Sequence, residues 1–270
     1  MNIRNETLPM TEHDLFVEER LGHLKGRVKH CFRSAYSHLK KSWLLHHVDN
    51  EMSAFRAITA EEEAATGFIL ALKQLKYPGA KQLNYQSHSQ KMAVFNIIQA
   101  VHKFLTEMNV IAGNFSMNKV GQPRIMITID VSKQMGLSEP FYIQPDNPLN
   151  FSVVSEDKNG KPISAFTAKI HQIYQGTNFK DFDRYLDSEA NRRNSLLYAT
   201  NDGIPSVEFE DSFIISRLTR VRIIGLITIA LLQDRSHQLL VKQCIEEFVL
   251  AIPRLKSIAA DPSVFMKQSK

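Results

Sequence analysis

Apolar residues at Leu21, Leu24, Val28, Phe32, Ala35, Leu39 and Trp43 recur at the three- and four-residue steps of one helix face, in a segment from about Thr11 to His47. Most of its basic residues fall on the opposite face. A second helix is predicted from about Ser53 to Leu75, with Phe55, Ile58, Ala65, Ile69 and Leu72 inward, stopping before Tyr77, Pro78 and Gly79. A third begins near Ser87 and carries Val94, Ile98, Val101 and Leu105. Three long amphipathic helices in succession predict a bundle.

The pattern changes between about Val110 and Pro162. In RIMITIDV, 124–131, Ile125, Ile127, Ile129 and Val131 alternate with other positions, the period of two expected for a strand. FSVVSEDKNGKPIS adds a short β-type run and a turn signal at Asn159 and Gly160. Helical patterning returns from about Ser164 and ends in helices near 211–234 and 236–258. The predicted fold is therefore mainly α, a helical bundle formed by residues 1–109 and 163–270, with a small β-rich insertion at 110–162.

Composition narrows the class. With 43% hydrophobic residues over 270 positions the chain can bury a sizeable core. The longest mostly apolar run, Val221 to Leu232, contains Arg222 and is far short of the roughly 20 residues needed to span a bilayer, so no membrane segment is expected. Acids stand near the N-terminus where a secretion signal would have an apolar core, which makes the cytoplasm the expected location. Cys31 and Cys244 are far apart and are expected in the core rather than in a disulfide or thiolate metal site. The formal charge of +5 is a mild bias toward anions, but its distribution is uneven: Arg20, Lys25, Arg27, Lys29, Arg33, Lys40 and Lys41 occur with no acid among them.

Two charges sit where the helical pattern calls for apolar residues. If Asn178 caps the helix that follows, Phe182, Leu186, Ala190 and Leu197 share a stripe that also contains Arg193. In the second helix Glu62 lies among Phe55, Ile58 and Ile69, with Glu61 and Glu63 to either side. A charge facing a core needs a partner, so Glu62 and Arg193 are expected within hydrogen-bonding reach of one another. Such a pair could equally fix the register of two helices.

The order of three segments, TAEEEAATG at 59–67, HSQK at 88–91 and RRNSLLYAT at 192–200, resembles HEPN domains, and within them the abortive-infection AbiV-like branch. The resemblance implies a helical bundle working on RNA in defence or stress response, a homodimer with two arginine motifs facing one cleft, and no cofactor. HEPN ribonucleases carry an Arg, often a following polar residue, then four to six residues and a His. Arg193 and Asn194 match the first part, but Tyr198, Ala199 and Thr200 stand where the histidine is expected, and Ala64 and Ala65 replace a Gly-Lys that commonly follows the acids. On this reading Arg193 stabilises the phosphate charge, Asn194 orients it, Tyr198 donates a hydrogen bond from the histidine's place, and Glu62 positions Arg193. Metal-independent cleavage also needs a group that moves protons near neutral pH. His88 could supply it if the fold brings it close, although its position more simply suggests a residue flanking the third helix.

Other chemistries find little support. Ten histidines raise the question of a metal, but none stands at a recognised ligand spacing from another ligand, and adjacent His46 and His47 cannot point the same way on a helix, so no metal is expected. GNFSMNKVGQP lacks the ending of a phosphate-binding loop, and no G-x-S-x-G elbow occurs. Lys25, Lys29 and Arg33, with Arg192, make a nucleic-acid-binding surface conceivable through phosphate contacts alone. A HEPN-like protein without catalysis that binds RNA, nucleotide or a protein partner is the second reading. The helix at 211–234, apolar around much of its circumference, suits a central core helix or a protomer interface.

Overall fold

A computed structural model describes residues 7–107, 110–117, 123–153, 155–156, 160, 162–163, 166, 182–198 and 206–251. Helices dominate: α1 (Glu12–Gly22), α2 (Gly26–Leu45), α3 (Asn50–Gln74), α4 (His88–Glu107), a single turn α5 (Ser132–Met135), α6 (Phe182–Ser195), α7 (Asp211–Asp234) and α8 (Leu239–Ala251). Strands β1 (Val110–Met117), β2 (Pro123–Asp130) and β3 (Tyr142–Ile143) form one antiparallel sheet in that order, and β4 (Ser155–Glu156) pairs with β5 (Pro162–Ile163). No helix among the described residues is long and apolar enough to cross a membrane.

The first predicted helix is two. α1 begins with a capping box, in which Thr11 Oγ1 accepts from the Asp14 backbone N–H and Asp14 accepts from the Thr11 N–H. It ends at Gly22, and Gly26, at φ +65°, starts α2. The stripe of Leu21, Leu24 and Val28 runs across this break, so periodicity alone does not reveal it.

α3 is the axis of the bundle. It packs along α2 and also against α4, α6 and α7. Gly67 permits the close approach of α2, because a Cβ there would lie 2.8 Å from Phe32 Cε2. At the other end of the same helix pair, Ser42 Oγ donates to the Ser53 carbonyl and Ser53 Oγ to the Ser42 carbonyl, each at 2.7 Å. These reciprocal bonds satisfy two hydroxyls that burial would otherwise penalise. Ile214, Leu218, Val221, Ile224 and Ile229 of α7 are buried against the bundle, so at least this face of the helix belongs to the chain's own core.

The insertion is fastened to the helices. Ile127 of β2 is in the core, Gln243 of α8 exchanges two hydrogen bonds with the Val153 backbone, and the Leu240 N–H donates to the Leu149 carbonyl. An apolar cavity of about 460 Å³ lies nearby, lined by residues such as Phe68, Leu72, Phe95, Ile127, Leu226 and Phe248.

Two further sequence expectations change here. α2 ends at Leu45, and His47 has φ +69°, so His46 and His47 are not helical neighbours; their rings lie 3.8 Å apart between centroids. In α6, Leu186 and Ala190 are buried as expected, whereas Leu197 lies beyond the helix end and is exposed, Leu196 being the buried residue. Asn178 and residues 252–258 lie outside the described residues.

A candidate anion site around Glu62

Glu62, on the middle of α3, is almost wholly buried with a carboxylate that three cationic or titratable side chains approach from two other helices. His88, the first residue of α4, presents Nδ1 at 2.8 and 3.0 Å from its two oxygens. Lys91, one turn further along α4, donates from Nζ at 3.1 Å. Arg193 of α6 donates from a terminal guanidinium nitrogen at 3.4 Å, within the reach expected from the two misplaced charges. His88 and Lys91 meet the same acid because residues three apart on a helix share a face.

Arg193 also makes two contacts that fix its plane. Its guanidinium lies 4.6 Å from the centre of the Phe55 ring, a cation–π arrangement. The same terminal nitrogen is 3.3 Å from His88 Nδ1 and 3.4 Å from Nε2. Near-equal distances to both ring nitrogens put the guanidinium over the imidazole face, since in the ring plane it would collide with the carbon between them. With Nδ1 directed at Glu62, Nε2 points away from that carboxylate, and the His88 side chain is 43% exposed against 3% for Glu62.

The surroundings are electropositive. Arg56 of α3 lies 3.5 Å from His38 Nδ1 on α2, and His38 is held below the usual imidazole range by burial first, then by Arg56, Lys41 and Arg193. Glu63 is pushed the other way. Burial is the main cause, Glu62 adds to it, and Lys91, Arg27 and Arg193 oppose it. A carboxyl whose folded value is raised above the ordinary 4.5 costs stability when ionised at neutral pH, and that cost disappears once acid protonates it in both states. Glu63→Gln is therefore expected to raise the thermal midpoint at pH 7 and to lose this advantage below about pH 4, measured by thermal unfolding of both proteins across that range.

Tyr198 is not part of this arrangement. It follows the end of α6, is 66% exposed, and takes part in none of the described hydrogen bonds of Glu62, His88, Lys91 or Arg193. The helix stops three residues before it, so spacing counted along a continuous helix misplaces its side chain. The backbones of Arg192 and Asn194 belong to α6, but their side chains lie outside the described residues. On α2, Lys25 and Arg33 are exposed and Lys29 is half-buried; among the described residues none of the three contacts the Glu62 cluster or forms an ion pair. Lys25 stands at the N-cap of α2 with Arg27 and Lys29 close behind, and no acid occupies the first turn. Cations at this end oppose the helix dipole, so their placement does not serve the helix itself.

Sequence reasoning included Lys91 in the HSQK segment without giving it a role, and missed His38 and Arg56 beside the site. Lys91 was legible as the partner of His88 three residues earlier, but no feature of the sequence joins His38 to Arg56 across two helices. It also placed Glu61 beside the core, whereas Glu61 is buried as deeply as Glu62 and is paired with Arg217 and Arg220 of α7.

Comparison with family models, with curated proteins and with solved structures finds no match to this chain.

Proposed function

We propose that the protein is a HEPN-like, RNA-directed protein of defence or stress response, and that the Glu62, His88, Lys91 and Arg193 cluster is a metal-independent endoribonuclease centre. The observation that carries the reading is the contact of His88 with both Glu62 and Arg193, which brings an imidazole from α4 to an arginine whose own motif lacks a histidine. Glu62 holds the Nδ1 side of the ring, which leaves Nε2 as the proton acceptor, the same division of labour that a carboxylate imposes on a histidine in hydrolase triads.

In the proposed reaction Nε2 of His88 takes the proton of an RNA 2′-hydroxyl as its oxygen attacks the neighbouring phosphorus. The P–O5′ bond breaks, a proton from water reaches the departing 5′-oxygen, and the products are a 2′,3′-cyclic phosphate and a free 5′-hydroxyl. Arg193 faces the charge that builds on the phosphate oxygens, and Lys91 offsets the charge of Glu62 so that the cluster stays attractive to an anion. Asn194 belongs to this reading through the family resemblance, as does a homodimer. Lys25, Lys29, Arg33 and Arg192 are proposed to hold the phosphate backbone, positioning RNA without reading its sequence.

The deciding experiment is cleavage of a mixed RNA pool by the purified full chain in excess chelator, comparing wild type with Arg193→Ala after circular dichroism of both in the same buffer. Cleavage by wild type alone, leaving cyclic phosphate ends, is the expected result. Equal inactivity of two folded proteins overturns the enzymatic reading and leaves a HEPN-like binding protein, for which retention of RNA by wild type but not by a Lys25, Lys29 and Arg33 triple alanine variant is the corresponding sign.

A further inference from the structure

Where α2 ends and α7 begins, three side chains with metal-binding atoms converge away from the Glu62 cluster. His46 is the C-cap of α2, His47 follows it in the left-handed region, and Asp211 is the first residue of α7. His46 Nδ1 lies 2.8 Å from Asp211 Oδ1, and His47 Nε2 lies 4.0 Å from the same oxygen. One ligand atom from each of the three residues falls within 4.8 Å of the others.

The buried member of this group is already oriented as a ligand. His46 has a side chain with no exposure, and its Nε2 lies 2.9 Å from the Phe209 carbonyl oxygen, which can only accept, so Nε2 carries a proton. Nδ1 points toward Asp211 and His47 and shares a hydrogen with the acceptor Asp211 Oδ1, which a metal ion would replace. A backbone carbonyl holding the far N–H is the usual outer partner of a metal-ligating histidine. The Phe209 ring stacks on His46 at 4.5 Å and fixes its plane. The left-handed turn at His47 is itself held, because its N–H donates to Asn50 Oδ1 at 3.0 Å. Since His47 is 64% exposed, its ring can turn toward a shared ion without disturbing the core.

We propose that His46 Nδ1, His47 Nε2 and Asp211 Oδ1 bind a divalent transition-metal ion of the zinc type, clamping the end of α2 to the start of α7. Two imidazoles and one carboxylate suit such an ion and are a poor set for magnesium or calcium, which favour oxygen. Metal–ligand bonds of about 2.0–2.1 Å in a tetrahedral site separate ligand atoms by roughly 3.3 Å. The observed 2.8 and 4.0 Å lie on either side of that value and the remaining separation is within 4.8 Å, so the site closes by rotation of the exposed His47 ring. Three protein ligands leave a fourth position for water. The role is independent of RNA cleavage, and the site clamps helices rather than touching the Glu62 cluster.

The test uses the full chain stripped with chelator, dialysed, and titrated with Zn²⁺ alone against a competing metal dye, with metal content measured after gel filtration. The expected result is one zinc per chain, a higher thermal midpoint with zinc, and binding weakened at least ~10-fold in both His47→Ala and Asp211→Asn, in keeping with the losses seen on perturbing a metal site. His47 is exposed and Asp211→Asn preserves shape, so both variants should fold, which circular dichroism checks. Failure of wild type to retain zinc overturns the proposal and leaves His46 and Asp211 as a plain hydrogen-bonded pair. Zinc retained equally by either variant overturns it as well, since the ion would then sit elsewhere.

Discussion

Replacing His88 with alanine is expected to lower RNA cleavage by about 10²–10⁴-fold, the usual contribution of one positioned acid or base. The loss should come with little change in fold, because His88 lies at the start of α4 with nearly half its side chain exposed and contributes no apolar packing to the core. Glu62 keeps Lys91 and Arg193 when the imidazole is removed, so the buried carboxylate stays paired. A purely structural role for His88 would then leave the rate near wild type. Chemical rescue sharpens the distinction: His88→Gly should regain part of its activity when imidazole is added, whereas Arg193→Ala, which removes charge stabilisation rather than a proton acceptor, should not. Tyr198→Phe is the comparison that separates the structure from motif spacing. With Tyr198 exposed and outside the cluster, its hydroxyl should be dispensable to cleavage, and a loss comparable to His88→Ala would put the proton transfer back on α6.

The pairing of Glu62 with Arg193 was legible in the sequence for a physical reason. Each interrupts an apolar stripe, and a charge on such a stripe has few outcomes other than a partner from another element. The same reasoning could not find His88, which is polar at a helix start, where polar residues are common for several reasons. It also failed at Glu61. Helix α3 is surrounded by α2, α4, α6 and α7, and a helix buried on most sides has no solvent face against which a flanking acid can be judged. Arg217 was hidden in the same way within α7, whose apolar residues are distributed around its circumference. The long helices and the β2 strand were legible because their periods extend over many residues. The break between α1 and α2 was not, since Leu24 continues the stripe of Leu21 while the backbone leaves the helix. His46 and His47 converge for the complementary reason: a helix end and one left-handed residue undo the geometry that a continuous helix would impose.

Glu61→Ala is expected to destabilise the fold by about 3–5 kcal/mol, the cost of leaving a buried charge without its counterion. The side chains of Glu61 and Arg217 are 1% and 5% exposed and hydrogen-bonded to one another, and Arg220 adds two contacts of 3.3 Å to the same carboxylate. Removing the acid strands Arg217 between α3 and α7, over the Phe213 ring. Arg220 has an easier escape because its side chain is 27% exposed. For a chain of this size the loss corresponds to a fall of very roughly 10 °C in the thermal midpoint. Glu62→Ala should cost less, although Glu62 has more partners: His88 and Arg193 are 43% and 21% exposed and can turn toward water, which leaves Lys91 as the main buried cation. The two acids are adjacent on one helix, yet one chiefly ties α3 to α7 and the other gathers the candidate site. A double variant decides whether charge or volume is at stake. If Glu61 and Arg217 matter as a pair, Glu61→Leu with Arg217→Met should recover most of the stability lost in Glu61→Ala, because an apolar pair of similar volume is often as stable as the buried ions it replaces. A double variant no more stable than Glu61→Ala would mean that Arg220 and the surrounding packing, rather than the stranded Arg217, set the cost.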